Sequence, residues 1–147
     1  MDWKNAIDSC SDDIKNCSTK NLFSLEGLVC AANIFHIYDG DSFYMNIIFH
    51  NEVITFKCRL AGLDTPEMRS HDELEKSLAL IAKQRVYELV DDTIVCVSCG
   101  KFDKYGRVLV DITLNTGEDL CSLLIKEKLA FPYDGGKKRT DWASLRS

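Results

Sequence analysis

The run Ser42-Phe43-Tyr44-Met45-Asn46-Ile47-Ile48-Phe49-His50-Asn51-Glu52-Val53-Ile54-Thr55-Phe56-Lys57-Cys58-Arg59-Leu60 reads as two strands about one tight turn. β-Branched and aromatic residues dominate both arms, and Asn51-Glu52 marks the hairpin tip. Upstream, Gly27 to Ile37 is mostly apolar and leads to Asp39-Gly40-Asp41, a turn signal. Gly27–Ile37, Ser42–His50 and Val53–Leu60 therefore form a three-stranded meander. After Pro66 the period changes. Ser70-His71-Asp72-Glu73 matches a capping box, and Leu74, Leu78, Ile81, Ala82, Val86 and Leu89 follow at helical intervals. This spacing predicts a helix from about His71 to Val90, with Leu74, Leu78 and Ile81 in the core. Thr93–Ser98 and Arg107–Leu114 supply two more strands. Asn115-Thr116-Gly117 leads into a second helix with Leu120, Leu123 and Leu124 as its buried stripe, and Thr140 to Arg146 forms a last helical turn or two. The order predicts an all-β barrel with helices: a five-stranded Greek-key barrel of the OB type capped by two to three α-helices. The face and loops of such barrels commonly bind nucleic acids.

A chain of 147 residues fits one domain with its own core. Residues 1–20 read as an N-terminal extension, with Trp3, Ile7, Cys10 and Ile14 at the spacing of a short amphipathic helix and Trp3 expected to pack. Residues 21–147 form the barrel domain. No apolar run approaches the roughly 18 residues of a membrane span, and the N-terminus lacks a basic, then apolar, leader. The expectation is an intracellular monomer with no membrane and no obligate protein partner. Seven cysteines, an odd number, agree with a reduced compartment. Cys96-Val97-Ser98-Cys99 lacks a second half for a zinc set, so structural thiols are expected there. His36, His50 and His71 show no metal-ligand spacing and are read as structural or surface residues. The net charge of −5 argues mildly against a nucleic-acid partner. From Lys126 to Ser147, however, six basic residues outnumber three acids, and Lys137-Lys138-Arg139 is either a basic patch or a solvated turn.

Arg59-Leu60-Ala61-Gly62-Leu63-Asp64-Thr65-Pro66-Glu67 and Asp103-Lys104-Tyr105-Gly106-Arg107 place charged residues at the ends of strands, in turns marked by Gly and Pro. Arginine suits a phosphodiester transition state because its fork donates two parallel hydrogen bonds and stays charged. Arg59 closes one strand and Arg107 opens another, so both can project into a shared cleft. Asp41, Asp64 and Glu67 offer an oxygen-rich environment for Ca²⁺ or Mg²⁺, and a spare carboxylate can orient or deprotonate water.

Asp39-Gly40-Asp41, then Arg59 five residues before Asp64-Thr65-Pro66-Glu67, then Asp103-Lys104-Tyr105-Gly106-Arg107, resembles the staphylococcal (thermonuclease-like) nuclease domain from about Gly27 to Tyr133. The resemblance implies an OB-fold, Ca²⁺-dependent nuclease of DNA and RNA that prefers single strands, cleaves P–O5′ and leaves 3′-phosphates. It implies that Asp41 and Asp64 are calcium carboxylates with the Thr65 carbonyl, and that Asp39 supports the metal site. Glu67 would be the general base, and Arg59 and Arg107 would bind the scissile phosphate. Lys104 and Tyr105 would contact a phosphate of the bound nucleotide, with Tyr133 as the aromatic contact. Taken singly, each motif is as well read as a turn, a helix entry or an exposed hairpin; their ordered occurrence carries the resemblance. The alternative is a catalytically silent nuclease-like OB module that binds single strands. The completeness of the catalytic set favours the enzyme, and a calcium-binding protein without nucleic acid would leave both arginines unexplained.

Overall fold

In the computed structural model, which describes residues 2–147, His50 and Asn51 both take left-handed backbone conformations with φ of 49° and 65°. Phe49 pairs with Glu52, so the hairpin tip is His50-Asn51, one residue earlier than the composition indicates. Two successive positive φ values match the primed turn whose twist suits a two-residue hairpin. This turn joins β2 (Ser42–Phe49) to β3 (Glu52–Leu60). With β1 (Val29–Asp39), β5 (Thr93–Phe102) and β6 (Val108–Thr113) they close a barrel in the order β1-β2-β3-β6-β5. All its ladders are antiparallel except β3 with β6, where Cys58, Arg59 and Leu60 face Val108, Leu109 and Val110 in parallel. The two arginine-bearing strand ends are thereby neighbours. This is the expected five-stranded OB-type barrel with helices.

Alternation fills the barrel. Phe43, Met45 and Ile47 point inward from β2, meeting Ile34 of β1, Val97 of β5 and Ile112 of β6, all almost fully buried. Each such side chain contributes about 1.5–3 kcal/mol relative to exposure. Cys96 is exposed and Cys99 buried, on opposite faces of β5, so the CxxC pair shares no site.

Helix α2 (Glu73–Val90) starts later than the capping-box reading places it. Asp72 is the N-cap and accepts from the Leu74 N–H at 3.1 Å, while the Ser70 hydroxyl donates to Glu75. Its buried face is also corrected: Ala79, Ala82, Val86 and Val90 face the core, whereas Leu74 and Ile81 are 45% and 47% exposed and Leu78 is half-buried. Small residues let the helix approach the barrel closely. A Cβ on Gly40 would lie 3.1 Å from both the Ala82 Cβ and the Thr65 Cγ2. Gly40→Ala should therefore overpack this junction and destabilise the fold by about 1–3 kcal/mol, read as a lowered melting temperature.

Helix α3 (Leu120–Lys126) buries Leu120 and Leu124 as expected, with Leu123 half-buried. Two short strands that the sequence reading missed, β4 (Leu63–Asp64) and β7 (Phe131–Pro132), pair antiparallel and tie the C-terminal segment to the Asp64 turn. A small second core of Phe131, Trp142 and Leu145, with Leu78 against it, anchors that segment; the Phe131 and Trp142 rings stack at 5.0 Å. Helix α1 (Trp3–Asp8) buries nothing, and Trp3, expected to pack, is 67% exposed. Among the described residues no helix is long and apolar enough to cross a membrane.

Candidate active site

The β1–β2 turn brings Asp39 and Asp41 to the mouth of the barrel. The Asp41 carbonyl accepts from Leu60 N–H at 2.9 Å, locking this turn to the end of β3 beside Arg59. Asp41 and Asp64 are both buried, and Nη2 of Arg59 lies 3.5 Å from Asp41 Oδ2 and 3.3 Å from Asp64 Oδ1. Ser42 Oγ donates to Asp41 Oδ1 at 2.9 Å. Asp39 Oδ1 accepts from the Met68 N–H at 3.0 Å, which pins the loop carrying Glu67. The Glu67 N–H in turn donates to Glu75 Oε2 at 3.0 Å, leaving its exposed carboxylate free to point into the cleft.

Arg107 is held by a turn built around Asp103. The Asp103 carboxylate accepts from the Tyr105 and Arg107 N–H groups at 2.8 and 2.9 Å and pairs with Arg107 Nε at 2.7 Å. Gly106, with φ of 81°, supplies the left-handed residue this turn requires. Burial raises the Asp103 pKa, but the hydrogen bonds from Arg107 and Tyr105 outweigh it and hold the carboxyl below its ordinary range. A depressed carboxylate contributes stability that is present above the ordinary aspartate value, about 3.9, and lost as pH falls through the folded value. Asp103→Asn should therefore melt below wild type at pH 7, with the difference closing as pH falls below the ordinary aspartate value and through the lowered one.

Burial pushes Asp39 and Asp64 the other way, above the ordinary carboxylate range; for Asp64 this prevails over the opposing pull of Lys138 and Arg59. Keeping these acids ionised costs stability at neutral pH, which further positive charge at the site would relieve. Lys138 already supplies some, with Nζ 3.5 Å from Asp64 Oδ1 and 3.9 Å from Glu67 Oε1.

One open cavity of about 720 Å³ gathers Asp39, Asp41, Arg59, Glu67, Tyr105 and Arg107. A second, of about 450 Å³, shares Arg59, Tyr105 and Arg107 with it and adds Lys104 and Tyr133. The Tyr133 ring lies 5.6 Å from the Arg59 guanidinium and its hydroxyl donates to the Gly136 carbonyl at 2.9 Å. The Lys104 ammonium sits 5.2 Å from the Tyr105 ring. Asp64 and Thr65 are buried and line neither cavity; Asp64 borders a third, of about 290 Å³, with Tyr133 and Lys137, and Thr65 Oγ1 has no hydrogen-bond partner.

Among the described residues no three His, Cys, Asp or Glu side chains form a metal-holding group. Two buried carboxylates reached by one guanidinium, with an unpartnered threonine hydroxyl next in the chain to Asp64, are nonetheless an oxygen-only set, which fits a hard cation.

Sequence reading missed several residues here. Lys138 reads equally as patch or turn in the sequence, because the β4–β7 ladder and the Phe131–Trp142 stack that deliver it are long-range contacts. His36, Tyr38, Tyr44, Lys57 and Arg69 also line the larger cavity, outside the motifs.

Comparison with curated proteins returns no match. The family description "Staphylococcal nuclease homologue" matches residues 57–145, more than half of the chain, taking in Arg59, the Asp64–Glu67 turn, the Asp103–Arg107 turn and Tyr133, with Asp39-Gly40-Asp41 outside the span. The arginine pair on adjoining strand ends, the paired acids beneath it and this match together place the chain in the staphylococcal nuclease homologue family.

Proposed function

We propose that this chain is a calcium-dependent nuclease that hydrolyses phosphodiester bonds of DNA and RNA, prefers single strands, and cleaves P–O5′ to leave 3′-phosphates. Residues 21–147 are the nuclease domain and residues 1–20 an extension. The observation that carries this reading is the convergence of Asp41, Arg59, Glu67 and Arg107 on one open cavity.

Asp41, Asp64 and Thr65 would hold the calcium ion, with Asp39 in support. Bound there, calcium supplies positive charge for a phosphate oxygen and neutralises the two buried acids. Arg59 touches both acids through Nη2, so single donors on its Nε and Nη1 remain for phosphate oxygens. Arg107 spends Nε on Asp103 and presents its Nη1/Nη2 fork. Together these donors meet the charge that builds on the equatorial oxygens as water attacks phosphorus. Glu67 takes the proton from that water as its oxygen bonds to phosphorus. The P–O5′ bond then breaks, and the departing oxygen becomes a 5′-hydroxyl once protonated. Lys104, Tyr105 and Tyr133 seat the adjoining nucleotide.

The test is incubation with denatured DNA and with RNA. Degradation is expected with millimolar-scale Ca²⁺, with little turnover in Mg²⁺ because of its stricter octahedral demand, and none after chelation. Strands that are bound but stay intact in Ca²⁺ would support the silent binding module instead.

A further inference from the structure

Strand β1 contains a residue that its composition does not announce. His36 has φ of 51°, in the left-handed region, within a register shift between Phe35 and Asp39. Ile34 and Ile37 are both buried, three residues apart, where a regular strand would bury every second residue. A bulge is what allows this, and bulges beside active sites re-aim side chains. Here it turns His36 and Tyr38 outward, onto the side where Tyr44 of β2 stands opposite Phe35. The three rings form one cluster: His36 to Tyr44 at 5.2 Å, His36 to Tyr38 at 6.3 Å and Tyr38 to Tyr44 at 6.4 Å. None is buried.

This cluster lines the larger cavity, while Tyr133 and Lys104 line the smaller one. Arg59, Tyr105 and Arg107 border both, so they mark the divide. A phosphodiester held at that divide has a nucleoside on each side. Lys57 and Arg69 border the aromatic side and supply positive charge for further phosphates, offsetting Asp39, Asp41 and Glu67 in the same cavity. Tyr38 and Arg107 line this cavity together, which ties the cluster to the divide.

We infer that the His36–Tyr38–Tyr44 cluster is a second base-stacking subsite, taking the nucleobase on the far side of the scissile phosphate from the Tyr133 pocket. It rests on the nuclease reading for the position of that phosphate. Bases stack on aromatic faces without regard to sequence, and a base paired in a duplex cannot reach such a platform. The subsite therefore makes the chain a sequence-tolerant reader of single strands.

The experiment is fluorescence anisotropy with labelled hexathymidylate and its fully abasic counterpart, using the whole chain in chelator. Wild type should bind hexathymidylate more tightly than the abasic hexamer. Tyr44→Ser should lower hexathymidylate affinity about five- to hundredfold and leave the abasic hexamer within about twofold. Tyr44→Phe should bind as wild type. His36→Asn, which removes a ring while tolerating positive φ, should lose base-dependent affinity in the same direction and keeps the test decisive if Tyr44→Ser does not fold. Base-dependent binding unchanged in the folded variants would overturn the subsite, even with cleavage intact. Base-dependent binding lost as expected, in a protein that never cleaves, would keep the subsite and remove the nuclease. Wild type that binds neither hexamer would overturn the subsite.

Discussion

Glu67→Gln is expected to lower the rate of calcium-dependent cleavage of single-stranded DNA by about 10²–10⁴-fold, the usual contribution of a positioned general base. The substitution keeps the size of the side chain and removes only its capacity to take a proton. The loop should stay in place, because it is held through the backbone: Glu67 N–H donates to Glu75, and Met68 N–H donates to Asp39. The one ion pair lost, to Lys138 at 3.9 Å, is between partly exposed groups and contributes little to stability. Melting temperature and substrate affinity should therefore stay near wild type while kcat falls. A kcat within twofold of wild type would remove Glu67 from the mechanism.

Arg107→Ala is expected to cost about 10²–10³ in rate, as loss of one preorganised transition-state donor commonly does. Arg107→Lys should recover little of it, because an ammonium cannot present the planar fork. The interaction is preorganised by Asp103, whose carboxylate fixes both the turn and Nε. A charge held this rigidly does not reorganise when negative charge builds on the phosphate. If Arg107→Lys cleaves as fast as wild type, simple charge suffices and the fork geometry has no role.

How much of this was legible in the sequence follows from the range of each interaction. The β2–β3 hairpin could be read from alternation, since Phe43, Met45 and Ile47 share one face. The site motifs were legible through their residue order: Asp103 to Arg107 is a turn closed by its own hydrogen bonds, while Arg59 to Glu67 is pinned from outside by Asp39 and Glu75. The phase of α2 departs from the stripe of large apolar residues. The helix packs through Ala79, Ala82, Val86 and Val90, with Ala82 small enough to sit against the Gly40 turn, and leaves Leu74 and Ile81 partly in water. Lys138 reaches the site only through the β4–β7 pairing and the Phe131–Trp142 stack, which no local pattern encodes. The bulge at His36 was invisible because a left-handed histidine carries no mark of its conformation in the sequence. Trp3, outside the resemblance and expected to pack, stays exposed on a helix that buries nothing.

The exposed apolar face of α2 and the unburied N-terminal helix do not contribute to the proposed chemistry. The basic C-terminal segment does, since it brings Lys138 over the acids and sets Tyr133 beside Arg59. An acidic chain thus carries its local positive charge where a phosphate would bind. The −5 net charge predicts weaker substrate binding than a basic chain would give, with a salt dependence set by the few cleft lysines and arginines that meet phosphates.

The most direct measurement is an end-group assay on a labelled single-stranded DNA incubated with the wild-type chain in Ca²⁺, with a chelated control. The account predicts fragments with 3′-phosphate and 5′-hydroxyl ends that disappear on chelation. Intact strands in Ca²⁺, or fragments ending in 5′-phosphates, would contradict it.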